Sequence, residues 1–168
     1  MKTNTILVMA IGLIGPCLYA QQPAGIQATF GGDVSGLSDK FGGLARVLDG
    51  KYDYRPGQGV RSTGEVLNMI VMENGMLAAV LTGAAPGARP APLTDAAKVQ
   101  DALKNSYASL KKAIEGLSDS DLNAGVKLFG TETTKRGAIL MLLGDQHEHL
   151  GQLIAYSRVN SIVPPWSK

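Results

Sequence analysis

The segment GDQHEHLGQL, residues Gly144 to Leu153, contains two carboxylates and two imidazoles within five positions, namely Asp145, His147, Glu148 and His149. Carboxylate oxygens and imidazole nitrogens are common ligands of divalent metal ions, so the segment is a candidate binding site. The alternative is that these residues are only a polar interruption in a helix. The choice between a binding site and a polar interruption depends on the helices and loops that position these side chains.

Residues 1–20 are predicted to be a secretory signal peptide, and residues 21–168 to be the folded domain. Lys2 supplies the positive start, Ile6–Gly15 the apolar core, and Ala20 the small residue that precedes cleavage. Because the apolar run is shorter than the roughly 20 residues that span a bilayer, a retained anchor is the weaker interpretation. We therefore expect an exported protein, either periplasmic or secreted, with no membrane association after cleavage.

The composition of the predicted domain excludes several classes of function. Its length suits one domain with a single core. Cys17 is the only cysteine and lies in the predicted signal peptide, so the domain has no thiol catalysis and no cysteine metal site. Pro16, directly before Cys17, disfavours a lipoprotein. The formal charge of +2 falls to +1 without Lys2, which gives no electrostatic footprint for nucleic acid. We expect neither a nucleic-acid partner nor a nucleotide cofactor.

Four segments have apolar residues at helical spacing, and no segment has a convincing period-two alternation. The first has an apolar stripe formed by Val34, Leu37, Phe41, Leu44 and Leu48. The second begins at Ser62, where STGE is a capping-box pattern, and runs to about Thr82. Its apolar residues almost surround the helix axis, which predicts that it is the most buried helix.

Two more helices are predicted after a proline-rich loop. Thr94 is expected to cap the third helix, whose apolar stripe runs from Val99 to Leu117. Residues 118–129 form a connection of about a dozen residues, which is long enough to cross the end of a bundle. The fourth helix is expected to begin near Thr133 and to stop before Pro164-Pro165. Four helices of this length predict an all-α fold, a four-helix bundle.

The fourth segment also carries a specific order of features that extends to the C-terminus. These features are His149, Gly151-Gln152, Tyr156-Ser157-Arg158 and Val163-Pro164-Pro165. The stretches YDYRP at 52–56, RSTGEVL at 61–67 and LTG at 81–83 fit the same pattern at the second helix and before it. In this order and spacing the sequence resembles the DinB-like family, and the resemblance covers nearly the whole predicted domain.

The resemblance implies a four-helix bundle, often dimeric, that holds a metal ion with three histidines. Related branches include thiol-dependent transferases and isomerases. One family histidine lies near the start of the second helix, and two lie four residues apart on one face of the last helix. In this sequence His149 matches the final ligand, whereas Asp145 and Met69 occupy the other two positions. His147 does not replace the missing imidazole, because two positions on a helix are about 200° apart around its axis.

Two interpretations of Asp145 and His149 remain open. In the first, they bind a divalent metal ion such as Zn, Ni, Mn or Fe, and Glu73, one turn beyond Met69, adds a second carboxylate. In the second, they form a hydrogen-bonded pair across one helical turn in an inherited pocket that holds no metal.

Met69, Met72 and Met76 form a separate stripe on the second helix. Thioethers bind Cu(I), which favours soft ligands, so copper handling is a third hypothesis for an exported protein. Methionine also fills irregular spaces in a core, and this is the simpler explanation of the stripe.

Two main functions are therefore predicted. One is an exported, metal-dependent enzyme that binds a small molecule between the helices, with His149 as the anchor ligand and Asp145 as the exchangeable one. The other is a non-catalytic bundle that binds a ligand or self-associates as a homodimer through an apolar helix face. Thiol transfer is disfavoured, because low-molecular-weight thiols are mainly cytoplasmic. The sequence indicates no particular substrate or reaction.

Overall fold

The computed structural model describes residues 25–85, 87–88 and 90–167, so the predicted signal peptide lies outside the described residues. In chain order the elements are α1 (Ile26–Val47), α2 (Thr63–Thr82), α3 (Ala96–Glu115), the one-turn helix α4 (Asp119–Leu122), β1 (Gly125–Leu128), β2 (Thr131–Thr134) and α5 (Lys135–Val159). The four long helices confirm the predicted helical bundle of the DinB-like type.

The four long helices pack as a ring around one core. α3 packs against both α1 and α2, and α5 closes the ring by packing against the same two helices. Each helix contributes fully buried side chains to the centre, for example Phe41, Leu67, Leu110 and Leu153. Because α3 and α5 are diagonal in this ring, the connection between them crosses the end of the bundle, as its length predicts. α2 and α5 are neighbours, and this contact builds the candidate site.

α2 begins where the sequence predicts. The Ser62 hydroxyl accepts a hydrogen bond from the Glu65 backbone N–H (3.2 Å), and the Glu65 carboxylate accepts one from the Ser62 N–H (2.8 Å). The helix ends at Gly83, whose φ of 72° is left-handed. Eight of its 20 residues are buried, a larger share than in the other long helices. By length and composition α2 is also apolar enough to cross a membrane, a property that core helices of soluble proteins share.

The cap of α3 differs from the prediction by one residue. Asp95, rather than Thr94, is the N-cap, and its carboxylate accepts a hydrogen bond from the Lys98 N–H (2.9 Å). Asp is a stronger N-cap than Thr, and its carboxylate also interacts favourably with the helix dipole. The correction leaves the apolar stripe of α3 unchanged.

A small β-hairpin replaces part of the connection predicted before the fourth helix. β1 and β2 are antiparallel and are joined by a two-residue turn, in which Phe129 has a φ of 50° and Gly130 a φ of 82°. Leu128 is buried, and β1 packs against α2 and α5. Strands of four residues are too short for alternation to identify them, and phenylalanine rarely occupies a left-handed turn position.

Candidate metal centre

Three ligand-type side chains meet between α2 and α5. Glu73 comes from α2, while Asp145 and His149 lie one turn apart on the same face of α5. One ligand atom from each lies within 4.8 Å of the other two. His149 Nε2 and Asp145 Oδ2 are 3.6 Å apart. Two atoms that each lie about 2.1 Å from one ion are at most about 4.2 Å apart, so this pair can share an ion as it stands.

The three side chains differ in their exposure to solvent, which increases from Glu73 to His149 to Asp145. Glu73 is buried, the His149 side chain is 17% exposed, and the Asp145 side chain is 38% exposed. The cluster therefore lies at the edge of the bundle interior, with one carboxylate inside and one at the solvent boundary. This placement gives an ion both a buried anchor and access from solution.

One oxygen of the buried Glu73 carboxylate has no hydrogen-bond partner in the part of the chain that the structure describes. Its Oε2 atom has no hydrogen bond to any of the described residues. Burial, together with the charge of the neighbouring Asp145 and its capacity to accept a hydrogen bond, raises the pKa of Glu73 to about 7, and the positive charge of Arg61 opposes this shift. An unsatisfied buried carboxylate is costly, and a bound cation or a proton removes that cost. The donor set and the orphaned oxygen both fit a divalent ion.

A chain of three hydrogen bonds fixes the orientation of His149. The Tyr156 hydroxyl donates to the backbone carbonyl of Arg61 (2.9 Å), which can only accept. The Tyr156 oxygen accepts from the Gln152 amide nitrogen (2.7 Å), which turns the Gln152 oxygen toward His149 Nδ1 (3.0 Å). Nδ1 therefore carries a proton, and in the neutral ring the lone pair is on Nε2, the nitrogen that lies 3.6 Å from Asp145. Metal-binding histidines commonly use such an outer hydrogen bond to set the tautomer.

The two remaining polar residues of the segment take no part in the cluster. His147 is exposed, and its Nε2 contacts the Asp33 carboxylate on α1 (3.1 Å). Glu148 is exposed at the surface.

Asp145 and His149 are too far apart, at 3.6 Å, for the hydrogen-bonded pair that the alternative interpretation expects.

A second polar cluster lies deeper between the same helices. The Gln146 amide nitrogen donates to Asn74 Oδ1 (2.6 Å), and the Tyr107 hydroxyl donates to Gln146 Oε1 (2.9 Å). The Asn74 amide nitrogen donates to the Ser106 hydroxyl (3.1 Å). These neutral groups satisfy one another and tie α2, α3 and α5 together.

A cleft of about 740 Å³ borders the cluster on the outer side of α2. Glu73, Met69 and Met72 line it together with Arg61 and the loop that ends at Leu93. This volume is in the range of small-molecule pockets. Met76, the third methionine of the stripe, instead packs against the core.

The side chain of Asn68 holds the loop against α2. Its amide nitrogen donates to the Leu93 carbonyl (2.9 Å), and its oxygen accepts from the Leu93 N–H (2.8 Å). This pair of hydrogen bonds fixes one wall of the cleft.

Sequence reasoning did not assign roles to Gln152, Asn68 or the buried Asn74 and Gln146. Gln152 and Tyr156 were identified as matching features, but their hydrogen bonds depend on a carbonyl 95 residues away in the chain. A signal for Asn74 exists, because it is an amide in a mostly apolar helix, whereas Gln146 lies within the polar segment Asp145–His149 and has no such signal.

Comparisons with known proteins agree with the fold. The sequence model of the DinB superfamily matches residues 42–153. A crystal structure of a DinB-like protein from Bacillus subtilis is similar over 79% of this chain and 92% of its own, with a TM-score of 0.68 and 20% identity. A DinB-like protein from Bacillus cereus ATCC 10987 is similar over 84% of this chain and 97% of its own, with a TM-score of 0.72 and 18% identity. No curated protein matches the sequence significantly.

Proposed function

Because the chain belongs to the DinB superfamily, we propose that it binds a divalent transition-metal ion at Glu73, Asp145 and His149 and acts as a metal-dependent enzyme on a small molecule. The observation that carries the proposal is the buried Glu73 oxygen, which has no donor among the described residues and points to a missing cation. The oriented Nε2 of His149 supports it independently.

The donor set favours some ions over others. Two carboxylates and one imidazole suit Mn, Fe or Zn, whereas soft Cu(I) prefers thioethers and thiolates. The described residues supply three protein ligands, so positions remain for water or substrate, as in catalytic rather than structural sites. When bound, such an ion polarises a substrate oxygen or lowers the pKa of a bound water.

The chain's own residues have distinct roles in this proposal. His149 is the anchor, because its tautomer is fixed by Gln152 and its ring is mostly buried. Asp145 is the exchangeable ligand, because it is the most exposed of the three. Glu73, with a pKa of about 7, releases its proton when the ion binds, so binding is expected to weaken below neutral pH.

The test is metal analysis of the purified protein after it has been supplied with Mn, Fe, Ni and Zn. We expect about one equivalent in the native protein and a loss of about 100-fold in affinity for His149→Ala. His147→Ala is the matched control, since this exposed histidine contacts Asp33 instead. Uptake of less than about a tenth of an equivalent by the native protein overturns the proposal.

Export and self-association are further parts of the proposal. The predicted signal sequence supports export, and N-terminal sequencing of protein from the producing cells tests whether the chain begins after Ala20. The adjacent exposed residues Leu140 and Met141 on α5 support a homodimer. A strictly monomeric protein at high micromolar concentration, measured by sedimentation, contradicts the dimer.

The copper hypothesis makes a separate prediction. Met69 and Met72 line the cleft beside Glu73, so they are the methionines that a soft ion would reach. Cu(I) binding that survives His149→Ala but is lost in the Met69→Leu, Met72→Leu double variant supports it. Equal binding in the double variant excludes it.

A further inference from the structure

We propose that the cleft beside the metal centre binds an amphipathic organic acid, whose anionic group pairs with Arg61 and whose apolar body lies on the methionine wall of α2. This inference names the ligand class of the proposed metal site, and it depends on the proposed function in one respect. A cation at Glu73 and Asp145 strengthens binding of the anion, because it neutralises the two carboxylates nearby.

Arg61 is the charged group of the cleft that is available to a ligand. It is exposed, it lines the cleft, and its side chain forms no ion pair with any residue in 25–85, 87–88 or 90–167. The acid nearest to it in sequence, Glu65, is already occupied, because Arg55 binds both of its oxygens and the Ser62 N–H binds one. A planar guanidinium with open donors matches a carboxylate in two parallel hydrogen bonds.

The backbone at Arg61 is held by the same hydrogen-bond chain that orients His149. Its backbone carbonyl accepts from Tyr156, so the start of α2 is tied to the last turns of α5. Arg61 and Glu73 line the same cleft. An anion held by Arg61 is therefore close to the proposed ion.

The rest of the cleft is suited to an apolar body. Met69, Met72 and Val71 contribute one wall, and Pro92 and Leu93 contribute the other. All of these except Pro92 are partly buried, and the Leu93 backbone is held in place by Asn68. Methionine adapts to apolar ligands of varied shape. A charged group at one end and apolar walls at the other select an amphipathic anion over a sugar or a polyamine.

A cavity on the other side of the molecule provides a comparison. About 650 Å³ between α1 and α3 is lined by Arg46 and Lys104, but also by Asp39 and Asp101, and it has no large apolar side chain. Its arginine therefore serves as a matched control.

The experiment uses octanoate, 1-octanol and octylamine as probes, titrated by calorimetry into protein loaded with zinc. Octanoate is expected to bind at least about tenfold more tightly than the alcohol or the amine. Arg61→Gln is expected to lower octanoate affinity about tenfold, Arg61→Lys to lower it less, and Arg46→Gln to change it less than about twofold.

A second variant tests the apolar wall without touching Arg61. Ala102 on α3 lines the cleft, and Ala102→Phe fills part of it, so both octanoate and 1-octanol are expected to lose binding. Ala113→Phe, in a different cavity near the end of α3, is the control for the added ring. Thermal unfolding of each variant verifies that it is folded.

The outcomes separate this inference from the proposed function. If zinc loads but octanoate binds no better than 1-octanol, or Arg61→Gln behaves like Arg46→Gln, the inference is overturned and the metal site stands. If no metal loads, the proposed function is overturned, and the same Arg61 criterion is applied to the metal-free protein. Tighter binding of octylamine overturns the inference in either state.

Discussion

Adjacent residues on α2 and α5 build two polar clusters of opposite character. Asn74 and Gln146 face the centre of the bundle and, with Tyr107, form a neutral network in which each group has a partner. Glu73 and Asp145 stand one position earlier on the same two helices, and there a buried carboxylate oxygen is left unsatisfied. One cluster is complete within the described residues, and the other leaves a carboxylate oxygen available to a proton or a cation.

The difference shows how one helix contact serves both structure and binding. A satisfied buried network sets the register of two helices, because any sliding breaks hydrogen bonds that water cannot replace. With the register set by Asn74 and Gln146, the neighbouring positions are placed opposite each other without any contribution of their own. The carboxylates at those positions therefore need no favourable contact with each other to hold the helices in place. They can remain available for an ion.

The largest expected effect comes from breaking the neutral cluster. Gln146→Leu leaves the Tyr107 hydroxyl and Asn74 Oδ1 buried without partners. At about 2 kcal/mol for each unsatisfied group, the free energy of unfolding is expected to fall by about 4 kcal/mol. Urea denaturation measures it, with Glu148→Leu on the exposed face as the control. A loss below about 1 kcal/mol means that the network does not hold the helices together.

The next effect is a stabilisation, in metal-free protein, from neutralising the charged cluster. The pKa of Glu73 is about 7 in the folded chain against an ordinary value of 4.5, so folding favours the protonated form. The stability that this provides is fully present below about pH 4.5 and is lost as the pH rises through about 7. At about 1.4 kcal/mol per pKa unit, the loss reaches about 3 kcal/mol.

Glu73→Gln removes that loss, so the variant is expected to be more stable than the native protein at about pH 8 and no more stable at about pH 4. Unfolding curves at both pH values measure the difference. Glu132→Gln, on the exposed hairpin, is the control. Parallel pH dependence in the native protein and Glu73→Gln contradicts the prediction.

A smaller effect is expected from the residue that orients the imidazole. Gln152→Leu removes the acceptor of His149 Nδ1–H, and metal affinity is expected to fall by about 10- to 100-fold. Gln152→Glu keeps an acceptor but cannot donate to Tyr156, so it is expected to recover part of the affinity. Metal titration of the native protein, Gln152→Leu and Gln152→Glu measures these affinities. Unchanged affinity in Gln152→Leu shows that the hydrogen-bond chain is only structural.

The smallest effect is expected outside both clusters. The contact between His147 and Asp33 is exposed on both sides. Asp33→Asn is therefore expected to change the free energy of unfolding by less than about 0.5 kcal/mol and to leave metal binding unaltered. If Asp33→Asn lowers metal affinity as much as His149→Ala does, His147 belongs to the metal site.

The sequence predicts most of the fold because its signals are local. The start of α2 follows from Ser62 and Glu65, three residues apart, and the helix stripes follow from spacings of three and four. The hairpin is not predicted, because its turn places Phe129 in a conformation that the sequence does not favour. Local preference was overridden there by packing of β1 against the bundle.

The candidate site is predicted only in part because half of it is non-local. Asp145 and His149 share a helix face, and their spacing alone brings them together. The contribution of Glu73 is predicted only through the family resemblance, which places a ligand position at Met69, one turn before it. Spacing within α2 alone does not show which helix lies beside α5 or in what register. The hydrogen-bond chain from His149 to the Arg61 carbonyl also joins residues that are far apart in the sequence, so spacing does not predict it.

The two hydrogen bonds between the Asn68 side chain and Leu93 involve only backbone atoms of the loop. The exposed side chains of Pro90, Ala91 and Pro92 can therefore be exchanged without loosening the attachment, while the residues of the candidate metal centre stay on rigid helices. This segment is the natural place to retune ligand preference by engineering, because selectivity and chemistry reside on separately supported parts of the chain.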